Sequence, residues 1–286
     1  MSSPENKIPI KGVHVFSTGT GSLHAEHING TSLPRLIWAL FSRSWVDIPI
    51  NFFAIEHPQG LVLFDTGLDP GIQNDREYIK DPIVRFLMGR LFRLKMNNVE
   101  NLAKKLAKKG LEASEVKKVV ISHLHFDHVG GVSQVPQAKF FISRAEWKKL
   151  SEPHPEREFI FREHIDIPGA RWTPIDFNHT RDPLFEPFGG YYDLMDDGSL
   201  ILLPTPGHTP GSLSMLVRVE GKNPLLLVGD LAYNREMLME DRVPGIGEKE
   251  QLLATFKKVR SLQKKLPGMV ILTAHDFLNG DISDYC

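Results

Sequence analysis

Cysteine is almost missing from this chain of 286 residues: the single one, Cys286, is the last residue. One thiol cannot close an intrachain disulfide, and a chain end that frays is a poor place for a thiolate metal ligand. A reducing compartment fits that composition. An excess of charge of either sign is missing as well. The 34 Lys and Arg stand against 35 Asp and Glu, a formal net charge of −1, which disfavours a polyanionic partner such as DNA or RNA. No run reaches the roughly 18 uncharged apolar residues that a membrane span requires. The stretch Met1 to Pro9 lacks the apolar centre of a signal peptide, so the expectation is a cytoplasmic protein with neither nucleic acid nor membrane as partner. The N-x-T sequons at Asn29 and Asn178 then carry no weight.

Several catalytic signatures are absent too. The chain has no G-x-S-x-G elbow, no H-E-x-x-H helix and no Walker loop, which removes the required parts of a serine hydrolase, a single-zinc protease or an NTPase. Gly19-Thr20-Gly21 starts like a dinucleotide loop, but His24 stands where the third glycine belongs.

What is present reads as an α/β protein. Val13 to Phe16, Asn51 to Ile55 and Leu61 to Phe64 are short β-branched or aromatic runs, the last two joined by Pro58-Gln59-Gly60, and they suggest an opening antiparallel meander. Asn98 to Lys109 has Val99, Leu102 and Leu106 at helical spacing before Gly110, with lysines on the other side that read as a solvated face. Val119-Val120-Ile121, Leu200 to Pro204, Leu225 to Val228 and Val270 to Thr273 read as buried strands, with Ala145 to Leu150 as a helix between them. No Ser- or Gly-rich linker divides the chain, and the candidate site residues lie on both sides of its midpoint, so one domain spanning 1–286 is expected. Ser32 to Trp45 and Pro82 to Met96 are rich in large apolar residues. Each reads as a helix packed on the core, as one wall of an apolar substrate pocket, or, for the second, as a homodimer contact.

The chemistry concentrates at the ends of the apolar runs. Ser122-His123-Leu124-His125-Phe126-Asp127-His128-Val129-Gly130-Gly131 puts three imidazoles and a carboxylate within six positions, directly after Val119 to Ile121. On extended chain His123 and His125 face one side, and a turn from Asp127 brings His128 to a second point nearby, so one segment can serve two metals. Thr205-Pro206-Gly207-His208-Thr209-Pro210-Gly211-Ser212 presents another imidazole on a loop fixed by proline and glycine. Val228-Gly229-Asp230 ends in a carboxylate able to bridge cations roughly 3.5 to 4 Å apart. Leu272-Thr273-Ala274-His275 ends in a fifth histidine. Taken singly, the last three are weak: a turn histidine, a turn dipeptide and a strand-end histidine are ordinary. The set of five histidines and two aspartates is not.

These four motifs, with Phe64-Asp65-Thr66-Gly67 ahead of them, resemble in kind and order the metal motifs of the metallo-β-lactamase superfamily, over about three quarters of the chain. The resemblance implies an αββα sandwich, two mixed β-sheets between helical layers, with metals at one sheet edge. It implies a first metal on His123, His125 and His208, a second on Asp127, His128 and His275, Asp230 between them, and Asp65 orienting a ligand imidazole. The cofactors implied are two divalent metal ions. Zinc is the default, and imidazole and carboxylate also suit iron, cobalt and manganese.

Within the superfamily, Cys286 lies far from the motifs, against the zinc β-lactamases with a cysteine ligand. Eleven residues after His275 leave no room for the C-terminal domain of glyoxalase II, and the neutral charge disfavours a nuclease. Tyr233, three residues after Asp230, is similar to the tyrosine with which N-acyl homoserine lactonases contact the substrate carbonyl. Packing on the sheet is its other reading. The function expected is lactone ring opening by a metal-bridging hydroxide, with Tyr233 stabilising the oxyanion and Asp127 moving the proton. Other cyclic esters or lactones, phosphotri- or phosphodiesters and sulfate esters are the alternative substrates, and a non-catalytic binding module is disfavoured because every motif position is filled.

Overall fold

Phe52-Phe53-Ala54-Ile55 and Leu200-Ile201-Leu202-Leu203 are apolar at every position, a pattern that suits strands covered on both faces. The computed structural model, which describes residues 10–96, 101–177 and 182–278, shows what covers them. One sheet holds β1 (Val13–His24), β2 (Trp45–His57), β3 (Gly60–Phe64), β4 (Phe92–Lys95), β5 (Val116–Val120), β6 (Lys139–Ser143) and β7 (Arg171–Ile175), in the order β4-β1-β2-β3-β5-β6-β7. The other holds β8 (Tyr192–Asp193), β9 (Leu200–Pro204), β10 (Leu213–Val217), β11 (Leu225–Leu227) and β12 (Val270–Leu272), in the order β12-β11-β10-β9-β8. Both sheets are mixed: β3, β5, β6 and β7 run parallel, as do β11 and β12, and the remaining pairs are antiparallel.

Side-chain alternation then sorts each strand between two cores. Phe53, Ile55 and Phe64 of the first sheet meet Leu200, Leu202, Met215 and Leu227 of the second. The opposite faces of the same strands, with Phe52, Ala54 and Leu63, pack on Leu102, Leu106 and Val129 of the flanking helices. Ile201, Leu203 and Leu226 pack on Leu252, Phe256 and Val259 of the helix Lys249–Lys265. Those three helical residues fall at i, i+4 and i+7, one apolar stripe, and the Glu248 side chain caps the helix by accepting from Gln251 N. Full burial of a side chain such as Phe256 contributes about 1.5–3 kcal/mol. The layers are helix, sheet, sheet, helix, as the motif resemblance implies.

The elements depart from the sequence reading in three places. β1 and β2 are far longer than Val13 to Phe16 and Asn51 to Ile55, and Gly19-Thr20-Gly21 lies inside β1 rather than in a loop. The segment Ser32 to Trp45 is helical only over Arg35–Phe41, and Trp45 starts β2 opposite His24. Pro82 to Met96 is a helix over Pro82–Leu91 and then turns into the edge strand β4, because Phe92–Lys95 pairs with Thr20–Leu23. The helix expected over Asn98 to Lys109 is described as Leu102–Ala107, its first residues lying outside the described range, as do Met1 to Pro9, Asn178 and Cys286. Among the described residues no helix is long and apolar enough to cross a membrane.

Candidate metal centre and pocket

Five strands deliver the candidate ligands from their C-terminal ends. Asp65 follows β3, His123 to His128 follow β5, His208 follows β9, Asp230 follows β11 and His275 follows β12. Parallel pairing of β3 with β5 and of β11 with β12 puts these ends at one edge. Main-chain bonds tie the two sheets there: Leu213 N donates to Ser122 O at 3.1 Å, and Asn51 N to Ala274 O at 3.0 Å. His125 precedes the four-residue helix Phe126–Val129, which carries Asp127 and His128 round to a second point. Two glycines permit the close approach. At Gly130 a Cβ would overlap the Leu68–Asp69 peptide, and Gly229, at φ 56°, would place one 2.8 Å from the Ser122 Cβ.

The side chains converge in two groups. His123 Nε2 lies 2.9 Å from His125 Nδ1, which lies 3.0 Å from His208 Nε2. Three nitrogens ordinarily stand roughly 3.3 Å apart around a tetrahedral zinc, so this spacing is that of a ligand set slightly drawn in. In the second group His128 Nε2 is 3.8 Å from Asp127 Oδ1, and His275 Nε2 is 3.6 Å from Asp127 Oδ2. Asp230 stands between the groups. Its Oδ1 is 3.1 Å from His128 Nε2 and 3.0 Å from His275 Nε2, and its Oδ2 is 3.5 Å from His208 Nε2 and 3.9 Å from His123 Nε2. His128 Nε2 and Asp230 Oδ1 are buried as an ion pair 3.1 Å apart, and among the described residues neither has a partner in regular hydrogen-bond geometry. Buried polar atoms without partners are costly, and these two aim at a common point, as donors to a cation do. The histidines and aspartates can bind metal.

Outer partners fix which nitrogen faces inward. His128 Nδ1 donates to Asp65 Oδ2 at 2.9 Å, and His275 Nδ1 donates to the Pro49 carbonyl at 2.9 Å. Ser122 donates to Asp65 through its amide (2.7 Å) and its hydroxyl (2.9 Å), which leaves Ser122 Oγ to accept from His123 Nδ1 at 3.0 Å. Asp65 holds all three contacts from a left-handed backbone, φ 61°. Buried Glu146 joins two ligand loops, accepting from Leu124 N at 3.1 Å and from Thr209 Oγ1 at 2.6 Å.

Electrostatics differ between the groups. Burial, reinforced by neighbouring imidazoles, lowers the pKa of His123 and His125 well below the ordinary value, and burial takes His208 down to about 4. These three are neutral, as metal-ligating imidazoles are. Burial opposes charge on His128 and His275 too, but the carboxylates around them outweigh it and raise both. The same pairing outweighs burial at Asp230 and lowers it, whereas burial keeps the Asp127 carboxyl raised.

A cavity of about 260 Å³ opens over the ligands. Leu23, Phe92, Phe126, Phe159 and Ile246 give it apolar walls, and the rings of Phe126 and Phe159 stand edge-on to Phe92 at 5.4 and 5.2 Å. Tyr233 lines it, its ring stacked on His275 at 5.3 Å and its hydroxyl 2.7 Å from His27 Nε2. Of the two apolar segments, Pro82 to Met96 reaches this cavity through Phe92, while Trp38 of Ser32 to Trp45 stands behind it, edge-on to His27 at 5.8 Å. The outer faces of both helices leave Leu36, Phe41, Ile83 and Phe86 exposed. The motifs lead to all seven ligand candidates and to Tyr233, and the structure brings all eight to this cavity or its floor. Sequence reasoning misses His27, Glu146, and the wall pair Lys149 and Glu158, 2.7 Å apart, because none of them belongs to a recognisable spacing.

Comparison with known proteins agrees with this geometry. The model of the metallo-beta-lactamase superfamily matches residues 45–275. The N-acyl homoserine lactonase AttM of Azorhizobium caulinodans is 32% identical over 240 residues, 80% of this chain and 82% of its own length. The N-acyl homoserine lactonase AiiA of Bacillus thuringiensis subsp. kurstaki is 27% identical over 268 residues, 93% of this chain and 94% of its own. A solved N-acyl homoserine lactone hydrolase with N-hexanoyl-L-homoserine at its catalytic metal center superposes with a TM-score of 0.74 at 23% identity, covering 94% of this chain and 95% of that one. The hydrolase AbOPH shares the fold with a TM-score of 0.62 at 16% identity, so the fold leaves the substrate open. By its motifs, its layers and its family match, this chain belongs to the metallo-beta-lactamase superfamily.

Proposed function

We propose that this hydrolase opens the ring of N-acyl homoserine lactones at a centre of two divalent cations, zinc being the first candidate. The observation that carries the reading is the Asp230 carboxylate, with one oxygen toward His128 and His275 and the other toward His123 and His208, beneath an apolar-walled cavity. In this reading His123, His125 and His208 would hold one cation, Asp127, His128 and His275 would hold the other, and Asp230 would contribute to both. Such cations supply Lewis acidity and a water deprotonated near neutral pH.

The chain's own residues supply the rest. Leu23, Phe92, Phe126, Phe159 and Ile246 exclude water and receive the acyl chain. Tyr233 donates a hydrogen bond from its phenol to the lactone carbonyl oxygen as negative charge develops there, a contribution of about 2.7–4 kcal/mol for a well-placed donor. Addition of water to the carbonyl carbon and cleavage of the ring C–O bond give a carboxylate and an alkoxide. Of the two protons of that water, Asp127, which faces the pocket beside His128 and His275, carries one to the alkoxide, and the other leaves to solvent as the carboxylate forms.

The test is proton release by purified, metal-analysed protein given N-acyl homoserine lactones of short and long acyl chain. Ring opening that depends on Asp230 supports the reading. A fully metallated protein that opens no lactone but hydrolyses paraoxon or bis-p-nitrophenyl phosphate would transfer the same site to phosphoesters.

A further inference from the structure

His27 lines the same cavity as the ligand candidates, yet none of the metal-holding groups among the described residues includes it. It sits on the short helix Ala25–Asn29 that follows β1, and 3% of it is exposed. Its main chain is fixed, with Gly245 N donating to the His27 carbonyl at 2.8 Å. Its ring is caged edge-on by Trp38, Phe92 and Tyr233, at 5.8, 5.9 and 5.7 Å. From this cage Nε2 points at the Tyr233 hydroxyl, 2.7 Å away. Tyr233 is held from its own side, since its carbonyl accepts from Thr273 Oγ1 at 3.0 Å and its ring rests on His275.

A phenol carries one proton. If His27 Nε2 accepts, that proton points at the imidazole and is lost to the pocket. If Nε2 carries hydrogen, it donates to the phenol oxygen, and the phenol proton can turn to a ligand. Donation to the oxygen also strengthens the phenol as a donor. We propose that His27 is a positioning residue: its Nε2–H donates to Tyr233 and aims the phenol proton at the substrate's carbonyl oxygen. This rests on the lactone-opening reading of Tyr233. An aromatic cage needs no polar ring at its centre, and phenylalanine would fill the space without desolvating an imidazole, so the nitrogen at 2.7 Å is the feature that packing alone leaves unexplained.

The experiment is a double-mutant cycle on the metal-loaded protein, with His27→Phe, His27→Gln, Tyr233→Phe and the His27→Phe/Tyr233→Phe pair, each checked for metal content and melting temperature. Partners that orient metal-ligating side chains are typically worth about 10–100-fold, and a loss of that order is expected in the kcat of His27→Phe, with KM and metal content little changed. His27→Gln, which keeps an N–H donor, recovers part of it. In the Tyr233→Phe background His27→Phe costs nothing further, because the proton it would aim is gone. Full kcat in His27→Phe, or an equal loss in both backgrounds, overturns the proposal. Full kcat in Tyr233→Phe overturns the reading of Tyr233 beneath it, so the two failures are distinct. Nitrogen-15 NMR of the unmutated protein reads the tautomer without any variant: a protonated His27 Nε2 is expected, and an unprotonated one contradicts the proposal.

Discussion

At the floor of the pocket, His128 is directed by Asp65, His275 by the Pro49 carbonyl and His123 by Ser122, each through a hydrogen bond of 2.9–3.0 Å. At the walls, Phe92, Phe126 and Phe159 meet through ring edges 5.2 to 6.5 Å between centroids, and the helices behind Phe92 carry Phe86 and Phe41 exposed. A hydrogen bond fixes a direction, and dispersion between rings fixes a volume. The floor is therefore built to hold atoms at set points, and the walls to accept a shape. Changes in the floor should alter whether reaction occurs, and changes in the walls which substrate reacts.

Asp230→Asn strikes the floor where both ligand groups depend on one side chain. Ring opening should fall by more than the about 10²–10³-fold that a single stabilising donor is worth, with fewer cations retained on metal analysis; a variant that keeps wild-type rates would break the comparison at its strongest point. Asp65→Asn leaves the ligands and removes the charge that orients His128, so metal affinity or kcat should drop about 10–100-fold. A competitive chelator titration reads the affinity.

The two ligand groups should also separate by pH. His128 and His275, raised by their carboxylates, keep their protons to higher pH than ordinary imidazoles in the metal-free protein, and a cation must displace them. His123, His125 and His208 are lowered and already neutral. Acidification therefore weakens the second group first. Cation titrations at about pH 8 and about pH 6 should show one of two loading steps weakening much more than the other, since metal binding releases protons. Equal weakening of both steps would contradict the assignment.

The walls predict smaller effects. Phe92→Ala should narrow the preference between long and short acyl chains by about 10-fold in kcat/KM, within the about 1–3 kcal/mol an apolar contact contributes to discrimination, while metal content stays constant. Phe86→Ser, on the exposed face of the helix Pro82–Leu91 that precedes Phe92, should change stability by less than about 0.5 kcal/mol and leave activity unchanged. A large loss of activity there would mean that the exposed face takes part in function.

The same contrast governs what could be read from the sequence. The floor was legible because its donors are chemically rare and closely spaced: His123, His125, Asp127 and His128 fall within six positions, at the end of an apolar strand. Asp65 became legible through the resemblance to a family motif. The walls were not, because apolar residues carry no spacing that distinguishes a pocket from a core. Phe92–Lys95 continues an apolar helix in sequence and becomes a strand only because β1 offers it an edge. The length of β1 was hidden for a related reason. Ser17-Thr18-Gly19-Thr20 has loop-like composition, yet it stays extended through a bulge between Ser17 and Gly19 because β2 pairs with it on both sides of that point. His27 illustrates the limit most sharply, since its partner Tyr233 lies 206 positions away and only tertiary structure joins them.

The most direct test of the account is to strip the protein of metal, return a divalent cation in measured equivalents and follow ring opening of an N-acyl homoserine lactone at each step. The account predicts that activity is absent without metal and rises to a plateau at about two equivalents, as two-metal hydrolysis requires. Full loading without ring opening, or ring opening that survives metal removal, would contradict it.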